Sequence, residues 1–210
     1  GENGINFINP QNLVDLTIEN LKSSTESFKL NYNTGTIAGT NDTQNLTLDN
    51  VNLHKNAIDN VVGVAGTGID IPNIENLNIT TKGEKSTVFI KSGDNTNHYK
   101  TISVKGTTDI KLMVESDRLE KVDASAFTHN LEYEFKPSAN TPIGATNVIK
   151  GGSGNDTIKL DFKDVDATNK TNFDIDGGTG KDTLNIERLK AKENKFTINN
   201  IEKVNIQKVD

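Results

Sequence analysis

Two nine-residue segments in the last third of the chain combine glycine and aspartate at the same spacing. They are Gly151, Gly152, Ser153, Gly154, Asn155, Asp156, Thr157, Ile158, Lys159 and Gly177, Gly178, Thr179, Gly180, Lys181, Asp182, Thr183, Leu184, Asn185. Glycine tolerates positive φ, so main-chain carbonyl groups can turn inward without a clash at Cβ. Aspartate adds an anionic oxygen, and hard oxygen ligands are those that Ca²⁺ binds. Both segments therefore predict calcium-binding turns.

Both segments fit the nonapeptide G-G-x-G-x-D-x-U-x, where U is a large apolar residue, which is the repeat of calcium-binding parallel β-rolls. They start 26 residues apart, whereas same-side turns of a regular roll lie about 18 residues apart. The excess predicts an insertion in the opposite turn, around residues 164–172. We expect Asp156 and Asp182 to share one ion, with main-chain oxygens from 151–155 and 177–181. The aspartates that could complete flanking sites are Asp161, Asp164, Asp174 and Asp176.

Two other glycine-aspartate segments are weaker. Residues 66–70 repeat the order of residues 178–182, but Ala65 stands where the first glycine of the nonapeptide would be. A plain turn and a calcium half-site both remain open for this segment. Residues 39–42 favour an ordinary turn.

Composition excludes several classes of function. The formal net charge is −6 and the isoelectric point is about 5.2, which disfavours binding to nucleic acid or to an anionic membrane. Cysteine is absent, so disulfides, thiolate zinc sites and cysteine nucleophiles are excluded. No apolar run reaches the roughly 18 residues of a membrane span. No zinc-protease, serine-elbow or P-loop motif occurs either, so we expect no enzymatic activity.

The apolar residues are sparse but patterned. Hydrophobic residues make up 32% of the chain and tryptophan is absent, which is little for an ordinary globular core. A solenoid needs less, because each coil buries only a narrow strip against its neighbours. Segments with period-two alternation predict strands, as in residues 28–32, 101–104, 131–135 and 158–162. The predicted fold is all-β, a parallel β-solenoid or β-roll that is irregular in its N-terminal part.

A turn-rich segment at residues 137–142 predicts a domain boundary. Residues 1–140 would form an irregular β-solenoid-like region, and residues 141–210 the calcium-binding roll. Helical signal is weak. Residues 187–194 are the best candidate for a short helix, and residues 51–60 could form a short helix or an irregular loop.

A six-residue pattern recurs three times, as IENLNI at 74–79, LEKVDA at 119–124 and IEKVNI at 201–206. Its first, fourth and sixth residues are apolar or small, which predicts a strand that bends or bulges after the glutamate. Degenerate repeats of this kind favour a stacked, quasi-one-dimensional architecture.

These features together resemble the RTX-type surface-layer proteins of Gram-negative bacteria, of the Campylobacter and Caulobacter kind. The resemblance is carried by GGSGNDTIK at 151–159, GGTGKDTLN at 177–185, VDASAF at 122–127, SANT at 138–141 and the two IExxNI segments. It covers about residues 60–210.

The resemblance implies a type I-secreted extracellular protein that self-assembles into a crystalline coat on the bacterial cell surface. Calcium would order the subunits and their lattice, and another region would hold lipopolysaccharide. The chain would be a subunit or a fragment of one. Two alternatives stay open: a calcium-stabilised adhesin or carbohydrate-binding module, and a polysaccharide-modifying enzyme on a β-helix.

Overall fold

A computed structural model describes residues 4–8, 10–23, 27–53, 68–91, 99–116, 118–137, 146–162, 171–189 and 194–208. Nineteen strands and no helix are found in these ranges. The first ten strands are β1 (Gly4–Ile8), β2 (Leu16–Glu19), β3 (Lys22–Ser23), β4 (Ser27–Asn31), β5 (Thr43–Asp49), β6 (Asn52–Leu53), β7 (Ile69–Asp70), β8 (Asn76–Lys82), β9 (Ser86–Lys91) and β10 (Thr101–Gly106). The others are β11 (Ile110–Ser116), β12 (Lys121–Asp123), β13 (Leu131–Pro137), β14 (Thr146–Lys150), β15 (Thr157–Asp161), β16 (Asn172–Asp176), β17 (Thr183–Leu189), β18 (Lys195–Asn199) and β19 (Lys203–Lys208).

The strands form two sheets in which every described pairing is parallel. Sheet A follows the order β1-β4-β7-β9-β11-β13-β15-β17-β19, with β3 and β6 alongside. Sheet B follows the order β18-β16-β14-β12-β10-β8-β5-β2. From β8 onward the chain passes from one sheet to the other and returns one strand further along, so each of these coils supplies one strand to each sheet. The predicted fold class, a parallel β-solenoid, is confirmed.

One core runs between the sheets. In β8, Leu77 and Ile79 are buried, and in β15 Ile158 and Leu160 are buried, while the residues between them face outward. The same alternation recurs in most strands of both sheets, and the buried residues belong to a single hydrophobic cluster. A two-residue period is the pattern of a strand with one buried face, so sparse hydrophobic residues suffice.

Columns of polar side chains stabilise the outer faces. The amide of Asn78 donates to Asn45 Oδ1 at 2.9 Å, and the amide of Asn45 donates to Asp15 Oδ1 at 2.9 Å. Asn205 donates to Asn185 in the same way at 2.7 Å. In-register parallel strands place like residues one above another, so an amide can donate to one neighbour and accept from the other.

The four strands predicted from alternation are confirmed as β4, β10, β13 and β15. The predicted helix at 187–194 is wrong over residues 187–189, because β17 continues to Leu189. The strand bulges there, with Arg188 at φ 53°. In the segment 51–60 the described part is the short strand β6, and residues 54–60 lie outside the described ranges.

The six-residue pattern has a common structural role. Its apolar positions are buried in the first copy, where Ile74, Leu77 and Ile79 are at most 1% exposed. Instead of bulging after the glutamate, the strand begins there, at Asn76 and at Lys203. Each IExxNI glutamate lies in the preceding turn, and accepts the N–H of an aspartate one coil earlier: Glu75 from Asp42 at 2.9 Å, Glu202 from Asp182 at 2.6 Å.

Both sheets run across the predicted domain boundary. Strand β13 pairs with β15 in sheet A, and β12 pairs with β14 in sheet B. The boundary near residue 140 itself lies outside the described ranges, so the division into two regions stays a prediction. None of the described residues belongs to a helix with the length and apolarity of a membrane span.

We predict that Phe173→Ala destabilises the C-terminal coils by about 3–5 kcal/mol, because truncating a buried phenylalanine leaves a cavity. Phe173 is 1% exposed and its ring centroid lies 5.4 Å from that of Phe196. Urea unfolding followed by circular dichroism measures the loss. Phe7→Ala is the matched control, since Phe7 is 50% exposed and its truncation should cost less than about 1 kcal/mol. Equal losses in the two variants would contradict the assigned core.

Candidate metal centre

Four turns stack in successive coils on one side of the solenoid. They comprise residues 124–127, 151–156, 177–182 and 200–202. Main-chain hydrogen bonds join them: Ser153 N donates to Phe127 O, and Thr179 N donates to Gly152 O, each at 2.9 Å. The two nonapeptide turns are therefore direct neighbours, although one coil there takes 26 residues, as the pairing of Thr157 with Thr183 requires.

The turn before the first nonapeptide is built by the VDASAF segment. Asp123 Oδ1 accepts from Ser125 N at 3.1 Å and from Ser125 Oγ at 2.6 Å. Ala124 N donates to Lys150 O and Phe127 N to Ala124 O, both at 2.8 Å. This segment thus forms the layer on which residues 151–156 rest.

An inner ladder of acidic side chains runs through the turns toward the N-terminal coils. Glu202 Oε2 accepts from Asp182 N at 2.6 Å, and Asp182 Oδ1 accepts from Asp156 N at 2.7 Å. Asp156 Oδ1 in turn accepts from Leu131 N at 2.8 Å. Each carboxylate therefore takes a main-chain N–H from the coil before it, and such charge-assisted bonds are strong ones.

An outer ladder runs in the opposite direction. Asp109 Oδ1 accepts from Asn130 N at 3.0 Å, Asn130 Oδ1 from Asn155 N at 2.7 Å, and Asn155 Oδ1 from Lys181 N at 2.9 Å. Each of these side chains reaches the coil that follows. The two ladders together tie the turns to each other, and the inner ladder ends at Leu131, the first residue of β13.

The aspartates of the two nonapeptides are buried, at 1% exposure each. Burial raises the pKa of Asp156, although hydrogen bonds from Leu131 N and Gly152 N counteract it. Burial also raises the pKa of Asp182, and the neighbouring charges of Asp156, Glu202 and Asp176 raise it further. A buried carboxylate among like charges is costly when ionised, and a bound cation would remove that cost.

The two nonapeptide turns differ in the hydrogen bond of their second glycine. Gly152 N donates to Asp156 Oδ2 at 2.8 Å. Gly178 N donates instead to Asp176 Oδ1 at 3.1 Å. Asp182 Oδ2 is consequently buried without a hydrogen-bond partner in the described part of the chain.

The glycines are needed because the turns approach each other closely. A Cβ on Gly178, which has φ 89°, would lie 2.0 Å from Gly152 O. A Cβ on Gly177 would lie 2.0 Å from Asn200 O and 2.7 Å from Asp182 Oδ2. Oxygen atoms therefore occupy the space that a side chain would take, so only glycine fits at these two positions.

The predicted flanking aspartates have separate surroundings. Asp161 is 2% exposed and forms a bidentate ion pair with Arg188, whose Nε donates to Asp161 Oδ1 at 2.7 Å. Asp174 alternates with buried residues of β16 and lies on the outer face of sheet B. Only Asp176 lies beside the nonapeptide turns, and Asp164, with the insertion predicted around 164–172, falls largely outside the described residues.

The weaker candidate turns are occupied differently. Asp70 forms an ion pair with Lys29 at 3.4 Å, while Gly66 is outside the described ranges. At residues 39–42 the aspartate Asp42 gives its N–H to Glu75 Oε2, and its own Oδ2 is buried without a partner among described residues. This arrangement repeats that of Asp182 and Glu202, at the opposite end of the molecule.

Sequence reasoning missed Glu202 and Asn130, and it named Asn155 only as a source of a main-chain oxygen and not for its side chain. Glu202 lies 20 residues after Asp182, a separation that means nothing until the register is known. The available signal was the IExxNI repeat, whose glutamates play one structural role.

The donor chemistry fits calcium. Carboxylate and main-chain carbonyl oxygens are its ligands, and both kinds are present in the turns. Among described residues, no three carboxylate or imidazole side chains converge as a metal site by themselves. Main-chain oxygens or water would therefore have to complete the six to eight ligands that Ca²⁺ takes.

We predict that Gly178→Ala lowers stability by about 2 kcal/mol or more, because alanine is strained at positive φ and its Cβ would meet Gly152 O. The midpoint of thermal unfolding is the measurement. Gly35→Ala serves as control, since a Cβ there would meet only Asn33 Oδ1, at 3.3 Å. A Gly178 variant as stable as the Gly35 variant would contradict the close stacking of the turns.

Comparisons with protein-family models, with curated proteins and with solved structures found no match for this chain. The resemblance to surface-layer proteins therefore rests on the segments quoted above. Of these, residues 122–127, 151–159 and 177–185 are neighbours in one column of stacked coils.

Proposed function

We propose that the chain is a structural cell-surface protein: a calcium-stabilised subunit, or a fragment of one, of a bacterial surface layer that assembles outside the cell. The observation that carries the proposal is the pair of buried aspartates in adjacent glycine turns. Neither Asp156 nor Asp182 has an ion pair with lysine or arginine in the described part of the chain. A structural protein can keep carboxylates that have no cationic partner if a metal ion binds to them when the chain folds.

Calcium, when bound, supplies the positive charge that lets these carboxylates remain ionised in the turns. Binding to the folded chain alone adds stability, about 2.7 kcal/mol at a free calcium concentration one hundred times the dissociation constant. Extracellular calcium modules bind at about 10⁻⁴–10⁻³ M, so the turns would be loose inside a cell and ordered outside it. This difference suits a protein that crosses an export channel unfolded.

Two sheet edges that are unpaired among the described residues support self-association. Strands β1 and β19 are the two edges of sheet A. The apolar residues exposed on them include Ile5 at 41%, Phe7 at 50%, Val204 at 41% and Ile206 at 63%. An exposed edge strand with apolar side chains is a template for pairing with another chain.

The apolar residues of the two edges can be set opposite each other in a register shifted by two residues from the one that runs through sheet A. A second copy whose β1 paired in parallel with β19 would set Val204 against Ile5, Ile206 against Phe7 and Asn205 against Asn6. The amide of Asn31 donates to Asn6 Oδ1 at 3.0 Å, and that of Asn205 donates to Asn185 Oδ1. Donation from Asn6 of the second copy to Asn205 Oδ1 would continue both columns in one direction. Only the edges of sheet A would meet in this contact between two copies, because the strand order of sheet B is one strand shorter than the main path of sheet A.

A binding module is the second candidate, and one surface feature favours it. A groove of about 310 Å³ runs beside the outer ladder and is lined by polar residues that include Lys85, Asp109, Asn130, Glu132 and Asn155. Amide and carboxylate groups can hydrogen-bond to sugar hydroxyls. No aromatic ring lines the groove, so it lacks a platform for stacking against a sugar. Glycan binding by a protein that stays monomeric in calcium would favour this candidate.

We predict that millimolar calcium increases the β-sheet circular dichroism signal and produces large particles in light scattering, both reversed by a chelator. Ordering of the turns by neutralised carboxylates is the physical reason. Magnesium at equal concentration is the control, because this smaller ion demands octahedral geometry and keeps its water ligands. Identical spectra and scattering with calcium, magnesium and chelator would refute the proposed function.

We predict that Ile206→Lys abolishes the calcium-dependent particles but leaves the calcium-dependent dichroism unchanged, because a lysine on an edge strand opposes strand pairing. Thr107→Lys, an equal charge change at an exposed site within the solenoid, should assemble like the unmodified chain. Particles that form equally well with Ile206→Lys would show that the edges of sheet A do not mediate assembly.

A further inference from the structure

We infer that the cation binds between the second nonapeptide turn and the turn that follows it, with the carboxylates of Asp182 and Glu202 and the main-chain oxygen of Asn200 as its protein ligands. This inference rests on the proposed calcium-binding function. It differs from a site shared by Asp156 and Asp182, and it adds two ligands that lie outside either nonapeptide.

Both carboxylate oxygens of Asp156 already accept a hydrogen bond. Its Oδ1 accepts from Leu131 N and its Oδ2 from Gly152 N, each at 2.8 Å. Both bonds are made within the protein at a residue that is 1% exposed. A cation at Asp156 would share both oxygens with main-chain N–H groups, whereas Asp182 Oδ2 is shared with none of the described donors, so we assign Asp156 the role of a structural acceptor.

Asp182 has the same place in its turn but one oxygen to spare. Its Oδ1 accepts from Asp156 N at 2.7 Å, while its Oδ2 is buried with no partner among the described residues. The residue before the turn explains the difference. The register pairs Lys150 with Asp176, and Asp176 takes the Gly178 N–H that would otherwise bond Asp182. An unpaired buried carboxylate oxygen is expensive, and it gains a partner if a cation binds it.

One main-chain oxygen lies close to this atom. Asn200 O and Asp182 Oδ2 both lie within 3 Å of the point where a Cβ of Gly177 would sit, at 2.0 and 2.7 Å. Asn200 has φ 50°, and its side-chain amide donates to Asp176 Oδ1 at 2.7 Å. These features fix the turn so that its main-chain oxygen faces the second nonapeptide.

Glu202 supplies the second carboxylate. One of its oxygens, Oε2, accepts from Asp182 N at 2.6 Å, which holds the group beside the turn. Glu202 is exposed, so its longer side chain can move toward an ion at little cost, unlike the buried Asp156. Two carboxylates and one carbonyl leave the remaining positions of a six- to eight-coordinate ion to water or other main-chain oxygens.

Calorimetric titration of the full chain with calcium chloride tests the site. Glu202→Gln and Asp182→Asn should each weaken calcium binding by about tenfold or more, because each removes a charged ligand. Asp174→Asn, an equal charge change on the outer face of sheet B, is the matched control, with an expected change of less than about threefold. Asp156→Asn, which exchanges one hydrogen-bond acceptor for a donor, distinguishes the proposed site from the one between the nonapeptides. Far-UV dichroism in calcium identifies any variant that is not folded.

Thermal unfolding gives a second readout that does not depend on affinity alone. In chelator, Asp182→Asn should unfold at a higher temperature than the unmodified chain, because the substitution removes a buried charge from among like charges. In saturating calcium the order should reverse, since the variant has lost the anionic ligand. Asp156→Asn should show no such reversal.

Three outcomes overturn the inference. Loss of calcium binding in Asp156→Asn with normal binding in Glu202→Gln returns the ion to the gap between the nonapeptides, while the proposed function stands. Normal binding in both Asp182→Asn and Glu202→Gln moves the ion elsewhere and likewise spares the function. An unmodified chain that binds no calcium overturns the site and the proposed function together.

Discussion

Parallel in-register stacking places each residue next to its counterpart one coil away, and this constraint governs the rest of the molecule. It stabilises columns of apolar residues, because Leu77, Ile79 and the corresponding residues of other coils form a continuous strip between the sheets. It also stabilises columns of asparagine, since each side-chain amide both donates and accepts a hydrogen bond and the column can extend over any number of coils. Columns of acidic residues are destabilised by it, because like charges spaced by about 4.8 Å, the separation of neighbouring strands, repel each other.

The turns accommodate the acids by giving them main-chain N–H donors. Asp156, Asp182 and Glu202 each accept an N–H from the preceding coil, so the repulsion is partly offset by charge-assisted hydrogen bonds. Glu75 does the same for Asp42 near the other end. The arrangement satisfies most carboxylate oxygens but leaves the repulsion in place, which is why a divalent cation would shift the folding equilibrium strongly. Carboxylates that accept main-chain hydrogen bonds are therefore compatible with the proposed calcium binding in the same ladder.

The same stacking explains why apolar residues are exposed on the edge strands. A coil in the middle of the stack has a neighbour above and below, whereas β1 and β19 each have a neighbour on one side only. Residues that are buried in inner coils become exposed there: Ile79 of the first IExxNI copy is fully buried, while Ile206 of the last copy is 63% exposed. A repeat architecture can add another layer at an unpaired edge strand. Self-association through these edges would be an extension of the fold itself.

The sequence by itself determined the fold class, because period-two alternation and the two nonapeptides are local patterns that read directly as strands and glycine turns. It also predicted that Asp156 and Asp182 lie in adjacent coils. It did not reveal that the two turns are unequal, since this depends on Asp176 lying opposite Lys150 across a 26-residue coil. Nor did it reveal Glu202 or the bulge that turns Arg188 toward Asp161. Coils of unequal length hide such neighbours, and only the tertiary register decides which polar atom receives a partner and which is left without one.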